Sequence, residues 1–470
     1  MPTWAPRRTD GKDGRRGLSD SEPNDVALKP WLARQAYSLL LRLGTPAYLW
    51  RVWARGREEP AYRADWPWRL GWYGRAYREA VRRAPGRPVL WLHAVSLGEA
   101  RAAAPLVQAL RGQHPDMRLL LTHTTATGRE AGRALLQEGD LQTWLPYDTP
   151  GAVRRFLRLH RPQVGVLMET EVWPNLQHEA RRAEVPMVLA NARLSEKSLR
   201  QGLRMGALMQ PAAEVMSLCL AQTSTDADRL TRMGAPLVRV VGNVKFDMTP
   251  ATALLSLGRS WQATSDRPVV LAASTREGEE PGLLAAWRVA CKEADPAAVL
   301  PRLWIVPRHP QRFDEVAELV RAAGLSLSRR SAWPDGRPDA AAQAADVWLG
   351  DSMGEMPAYY AAARVALLGG SFAPLGGQNL IEAAACACPV VMGPSTFNFA
   401  EAAELSEAAG AALRVQDWPE GVAQARRVCE PAVNAAMSSR ALDFAHTHRG
   451  AAHAMAEAIW AVAQAGCSGR

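Results

Sequence analysis

The chain reads as an α/β protein made of two doubly wound, Rossmann-like domains with a cleft between them. Three observations predict this. Apolar runs of strand length alternate with stretches of helical spacing from residue 89 to residue 245, the same alternation restarts at residue 269, and 470 residues are more than one ordinary core organises. A strand–helix–strand order implies parallel sheets covered on both faces, and such sheets hold ligands beyond the carboxyl ends of their strands. A cleft between two such domains suits a nucleotide-linked donor facing an acceptor.

Residues 1–29 are polar, Gly-rich and aperiodic, a composition that predicts disorder. In residues 30–88, the run from Trp31 reads WLARQAYSLLLRLGTPAYLWRVWARGR. Arg34 and Arg42 inside that run make a full bilayer crossing costly. Trp and Tyr beside Arg51, Arg55 and Arg57 suit a helix lying in the plane of an anionic membrane surface, and an amphipathic helix packed on its own domain is the alternative. The apolar run comes too late for a signal peptide. The first 90 residues hold 18 Lys and Arg against 9 Asp and Glu, whereas the rest is balanced at 38 of each. The basic excess is therefore N-terminal and fits an anionic membrane face. No DNA- or RNA-binding motif accompanies it, so no nucleic-acid partner is expected.

The first domain, 89–245, has expected strands at 89–95, 118–122, 142–145, 164–168, 188–191, 215–221 and 238–241. Residues 246–268, with Asp247-Met248-Thr249-Pro250, read as a linker. The second domain, 269–435, has expected strands at 269–273, 302–307, 347–350, 365–368 and 390–392. Residues 436–470 are Ala-rich and helical and could pack on either domain.

The first strand, VLWLHAV, runs straight into Ser96-Leu97-Gly98-Glu99 and a helix, which places Glu99 at the ligand edge of the sheet. The plainer reading is a capping box, Ser96 with Glu99, and the two are compatible, with Ser96 counted among the acceptor-side residues. Two later loops fall on the same edge. Glu169 and Glu171 lie in METEVWPN after the strand at 164–168, and Asn191, Arg193 and Ser195 lie in NARLSEKS; these are candidates for holding a hydroxylated or phosphorylated acceptor. In the second domain, GGSFAPLGGQNLIEAAA delivers a strand into a glycine-rich loop and a helix. Gly376 and Gly377 would let backbone amides approach a phosphate, and Asn379 and Glu382, one turn apart, would meet a ribose. Pro307 and Arg308 in VPRHP bring a guanidinium to the same edge, as GDSMGEM brings Met353, Gly354 and Glu355.

No metal is expected. The six cysteines lack zinc spacing and look like small core residues, and His446, His448 and His453 have no ligand pattern around them. Asp226-Ala227-Asp228 matches a divalent-ion motif but follows Thr225 at a helix start, and a T-x-x-D cap there explains it. There is no G-x-G-x-x-G after a strand and no P-loop, which argues against a dinucleotide oxidoreductase and a P-loop NTPase, and no cofactor is called for.

In order along the chain, WLHAVSLGE, LPYDTP, METEVWPN, ANARLSEKS, VGNVKFD, VPRHP, GDSMGEM and GGSFAPLGGQNLIEAA resemble the 3-deoxy-D-manno-octulosonic acid (Kdo) transferases of lipopolysaccharide assembly, from residue 31 to residue 435. The resemblance implies a GT-B fold and metal-independent, inverting transfer of Kdo from CMP-Kdo to the lipid A precursor (lipid IVA) at the cytoplasmic face of the inner membrane. It implies Glu99 as general base and Glu169 and Lys245 as supports of the transition state. CMP would meet Pro307 and Arg308, Met353 to Glu355, and Gly376, Gly377, Asn379, Leu380, Ile381 and Glu382. The chain departs from the family pattern at Gln378, where His is frequent, and at Leu380-Ile381-Glu382-Ala383, where Pro flanks the Leu-Glu pair. The alternatives are a GT-B enzyme using another nucleotide sugar such as a UDP-hexosamine, and a catalytically silent membrane adaptor.

Overall fold

A computed structural model describes residues 23–83, 86–295 and 299–468. The first sheet contains β1 (Val89–His93), β2 (Arg118–His123), β3 (Leu141–Trp144), β4 (Val164–Met168), β5 (Met187–Ala192), β6 (Leu218–Ala221) and β7 (Val238–Val240), all parallel in the order β3-β2-β1-β4-β5-β6-β7. The second contains β8 (Val269–Thr275), β9 (Arg302–Pro307), β10 (Leu327–Arg329), β11 (Val347–Leu349), β12 (Val365–Leu368), β13 (Val390–Met392) and β14 (Ala412–Arg414). They too are parallel, in the order β10-β11-β9-β8-β12-β13-β14.

Helices cover both faces of each sheet, and this is why the central strands are largely apolar and buried. In β1, Leu90 and Leu92 enter one core while Trp91 between them enters the other; β12 divides Val365 and Leu367 from Ala366 and Leu368 in the same way. Strand order reverses at β1/β4 in the first sheet and at β8/β12 in the second. Those two switch points open the crevices in which open α/β sheets bind ligands. Two strands escaped the sequence reading, β10 and β14. Each is an edge strand of three residues, shorter than period-2 patterning can register.

Three segments differ from expectation or resolve an ambiguity. The supposed linker 246–268 is largely the helix Thr252–Thr264, and it belongs to the second core: Trp261 is fully buried against Trp304 and Trp333. Gly258 lets this helix press on the helix Met356–Ala362, because a Cβ there would stand 2.2 Å from the Ala358 carbonyl oxygen. The C-terminal segment packs on both domains. The helix Pro431–Thr447 puts Ala441, Phe444 and Ala445 into the second core, and the helix Ala451–Ser468 returns to cover the first with Met455, Ile459 and Trp460. Asp247 ties the crossing, accepting from the Gly450 N–H at 2.6 Å and the Ala452 N–H at 2.8 Å.

The helix Pro23–Arg55 has two faces. Inward, Tyr37 donates to Asp148 (3.0 Å), Ser38 donates to Asn175 (2.9 Å), Tyr48 stacks on Tyr147 and Val52 is buried. Outward, Trp31, Leu32, Leu39, Leu40, Leu43, Trp50 and Trp53 are exposed. Among the described residues no helix is long and apolar enough to cross a membrane. The basic tail, apart from its last residues, lies outside the described residues.

Candidate active site

The helix Leu97–Gln113 starts where β1 ends, and its first turn presents Glu99. The Ser96 hydroxyl accepts from the Glu99 N–H at 3.3 Å and lies 3.2 Å from Oε1, while Oε2 accepts from the Val95 N–H at 2.7 Å. The carboxylate reaches one residue further back than in the usual box. Burial pushes the Glu99 carboxyl up to about 7. The Val95 N–H opposes that rise, and the nearby Glu169 and Glu171 carboxylates add to it.

Glu169 follows β4 on the other side of the switch point, in left-handed backbone (φ 60°), a conformation costly for a side chain with a Cβ and typical of functional turns. It pairs with Lys245 at 3.4 Å. The Lys245 ammonium also lies 5.5 Å from the Phe399 ring centroid, so it spans the two domains. Glu99, Glu169 and Lys245, far apart in sequence, are thus brought to one place. What holds Lys245 there is a network the sequence did not reveal. The Asn191 side chain accepts from the Val244 N–H (3.2 Å), Gln222 donates to the Asn191 carbonyl oxygen (2.9 Å), and Asn243 donates to Gln222 (3.0 Å).

That network corrects Asn191, which was expected among acceptor contacts: it is wholly buried and acts as an internal brace. Two other acceptor candidates, Ser96 and Ser195, cap helices, Ser195 accepting from the Ser198 N–H at 3.1 Å. Arg193 is exposed, and its charge acts across the cleft on Glu401. Glu171 is half-buried, accepts from the Trp173 indole at 2.6 Å and has its carboxyl raised by burial. It lines a cavity of about 420 Å³ together with Tyr48, Arg51, Arg55, Arg69 and Val95, between the N-terminal helix and the carboxyl edge of the first sheet. Asp148 of the LPYDTP block borders that cavity too. Its carboxylate accepts from the Asn175 and Leu176 N–H groups and so starts the helix Pro174–Arg182. The cap at Asp226 belongs to Thr223, whose hydroxyl accepts from the Asp226 N–H.

In the second domain the glycine loop follows β12, at the other switch point, but its glycine amides are already used. Gly370 N–H donates to Glu279 (2.7 Å), Gly376 N–H to the Ser395 hydroxyl (3.0 Å) and Gly377 N–H to the Gly370 carbonyl oxygen (2.8 Å). The expected phosphate cradle of glycine amides is therefore corrected: Gly376 and Gly377 shape the loop, which leads into the helix Leu380–Ala385. Asn379 caps that helix, its side-chain oxygen accepting from the Ile381 N–H at 3.2 Å, and stands half-buried three residues before Glu382. Leu380 and Ile381 are core residues, 1 % and 2 % exposed, so their side chains are closed to a ligand. Glu382 is half-buried, and burial raises its carboxyl against the pull of Arg101 and Arg308. Arg101 stands two residues after Glu99, so the two helix starts face one another across the cleft.

Glu279 was missed by sequence reasoning because nothing local marks it. It is 1 % exposed and accepts from the Arg276, Gly370 and Phe372 N–H groups, binding the loops after β8 and β12 together. Pro307 ends β9, and the Arg308 N–H donates to the Thr275 carbonyl oxygen at 3.0 Å. Met353 is exposed and Gly354 has left-handed backbone, while Glu355 is held by Arg330 at 3.0 Å. Among the described residues no group of three or more His, Cys, Asp or Glu could hold a metal ion. His448 stacks on Phe246 and His453 lies by Glu457.

The chain resembles solved two-domain structures over most of its length. A glycosyltransferase from Rickettsia africae matches with a TM-score of 0.54 at 10 % identity, covering 81 % of this chain and 99 % of that one. The Anabaena protein HepE in complex with UDP matches at 0.52 and 16 %, covering 80 % and 100 %. At such identities the likeness concerns the fold, two parallel-sheet α/β domains of the GT-B kind. The profile of the family described as 3-Deoxy-D-manno-octulosonic-acid transferase (kdotransferase) matches residues 64–248. The 3-deoxy-D-manno-octulosonic acid transferase of Bordetella pertussis is 47 % identical over 91 % of this chain and 99 % of its own, and that of Haemophilus influenzae 34 % over 78 % and 83 %. With identity of that level running through both domains and the cleft between them, the chain belongs to the 3-deoxy-D-manno-octulosonic acid transferase family of glycosyltransferases.

Proposed function

We propose that this protein transfers Kdo from CMP-Kdo to a lipid A precursor, with inversion and without a metal, and that Glu99 is the general base. The observation that carries this is the Glu99 carboxylate, poised at about 7 at the switch point of the first sheet and facing, across the cleft, the helix start that carries Glu382. The acceptor hydroxyl attacks the anomeric carbon of Kdo as Glu99 takes its proton. The bond from that carbon to the phosphate oxygen breaks and CMP leaves with the electron pair. Arg308 offsets charge on the departing phosphate, and Glu382 receives ribose hydroxyls. Lys245, held by Glu169, supplies positive charge beside the reacting centre. The cavity lined by Arg51, Arg55 and Glu171 receives the phosphorylated sugar of the acceptor, and the acceptor is lipid IVA.

The outward apolar face of the helix Pro23–Arg55 lies in the plane of the cytoplasmic leaflet of the inner membrane, so that a lipid acceptor enters the cleft from the bilayer. Mass spectrometry of the product made by purified protein from CMP-Kdo and a tetra-acylated precursor reports donor, acceptor and the number of Kdo units. Glu99→Gln should slow transfer by roughly 100-fold to 10,000-fold, the range general-base catalysis contributes, with CMP affinity unchanged. Transfer at the parent rate by that variant would remove the assignment.

A further inference from the structure

Away from the cleft, a second charged site lies at the opposite edge of the first sheet. The helices Pro150–His160 and Pro174–Arg182 run back against their strands, so their C-terminal ends stand where β4 and β5 begin. Between them is a cavity of about 500 Å³ whose lining includes Arg154, Arg158, Arg161, Arg182 and a single carboxylate, Glu179. Glu179 is 4 % exposed and pairs with Arg154 at 3.6 Å, which leaves the cavity strongly positive. Compensating the negative ends of two helices explains a basic residue in each last turn. It does not explain Arg161, which stands past the end of its helix in left-handed backbone (φ 43°), a position ordinarily given to Gly.

The N-terminal helix passes beside this cavity. Arg34 on that helix is close enough for Glu179 and Arg182 both to act on its charge. Trp31 and Leu32, three and two residues before it, are exposed, and the exposed apolar face continues through Leu39, Leu40 and Leu43 to Trp50 and Trp53 near the cleft. At 1.5 Å per residue, the helix carries that face about 28 Å from Arg34 to Trp53.

We propose that the arginine cavity binds the phosphate of an anionic phospholipid headgroup, held by Arg158, Arg161 and Arg182, while the outward face of the N-terminal helix enters the same leaflet. Guanidinium forks match phosphate oxygens in pairs, and several converging on one cavity suit a phosphate better than a carboxylate. A lipid phosphate rather than a free one is indicated by the apolar face that begins beside the cavity. Two attachments about 28 Å apart, one polar and one aromatic, set the tilt of the protein on the bilayer and turn the mouth of the cleft toward it. The inference does not depend on the transfer reaction, since headgroup binding is measured without CMP-Kdo.

The test is flotation of the full chain with vesicles of phosphatidylglycerol in phosphatidylcholine and with phosphatidylcholine alone. The triple variant Arg158→Gln, Arg161→Gln, Arg182→Gln should partition on the order of 100-fold less onto the anionic vesicles, since each basic side chain at such a surface is worth about fivefold. It should bind phosphatidylcholine and CMP as the parent does. Arg158→Gln alone, at an exposed position, should lose about fivefold and serves if the triple variant misfolds. Arg200→Gln with Arg204→Gln, on another exposed helix of the same domain, should partition like the parent. The proposal falls if the triple and single variants float like the parent, or if the Arg200/Arg204 control loses as much per charge, which would mean a diffuse electrostatic attraction. It falls too if inorganic phosphate binds the vesicle-free parent through these arginines while the variants that lose this binding still float like the parent, because the cavity would then be a site for free phosphate.

Discussion

At the scale of single residues, the site is organised by carboxylates held in unlike surroundings. Glu99 is raised to about 7 by burial and by two neighbouring carboxylates, which makes it a base near neutral pH. Its basic form is the ionised one, so kcat/KM should fall about tenfold per pH unit as the pH drops below about 7, and this limb should vanish in Glu99→Gln. The linkage to stability has the opposite sign. A carboxyl whose folded pKa exceeds its unfolded one stabilises the fold at low pH, and that contribution is lost as the pH rises through about 7. Thermal unfolding at pH 8 should therefore show Glu99→Gln more stable than the parent, and the gain should disappear at pH 4. Glu279 does a different task, accepting three backbone N–H groups. Glu279→Ala would orphan them and cost about 1–3 kcal/mol for each buried donor left unpaired. Calorimetry should find CMP binding weakened because the loops after β8 and β12 are no longer joined.

At the scale of elements, position within a turn or helix decides what a residue can do. Gly376 has φ 86°, and a Cβ there would stand 2.5 Å from Asn398 and 2.6 Å from the Phe397 ring. Gly376→Ala should destabilise by about 1–2 kcal/mol from the left-handed backbone alone, and should lower CMP affinity more than Gly74→Ala, at φ −65° and with nothing within 4 Å of the added Cβ. The helix Thr252–Thr264 tests whether the segment after the first domain is a connection or a core element. Trp261→Ala should cost about 3–5 kcal/mol in denaturant unfolding, the range for deleting a buried aromatic. A linker residue would cost almost nothing.

At the scale of the whole molecule, the two domains are joined at several points besides the chain between them. Lys245 reaches Phe399, Asp247 caps the final helix, and that helix fills a groove on the first domain after its predecessor has packed on the second. Ending the chain before Ala451 would uncover the face occupied by Met455, Ile459 and Trp460 and release Asp247. Such a truncated protein should bind CMP through its second domain yet transfer no Kdo, with the first domain unfolding at a lower temperature in calorimetry. The basic surface acts at this scale as well. Binding to anionic vesicles should weaken as salt rises, because exposed charges are screened over about 8–10 Å at physiological ionic strength.

Local order along the chain was enough to read the alternation of strands and helices, the two sheets, and Glu99 at a strand end, because burial on both faces writes continuous apolar runs and a strand-to-helix turn sits within a few residues. It was likewise enough to mark the blocks around Glu169, Arg308 and Glu382. Tertiary structure alone decided that Asn191, Leu380 and Ile381 are internal, that the glycine amides are spent on Glu279 and Ser395, and that residues 252–264 belong to a core. The reason is physical: a side chain's burial and its hydrogen-bond partner are properties of what packs against it. For Glu279 and Gly370 that partner lies 91 residues away. The four arginines of the far cavity make the same point, for beyond residue 90 the charges cancel in sum, and only folding gathers those of one sign in one place.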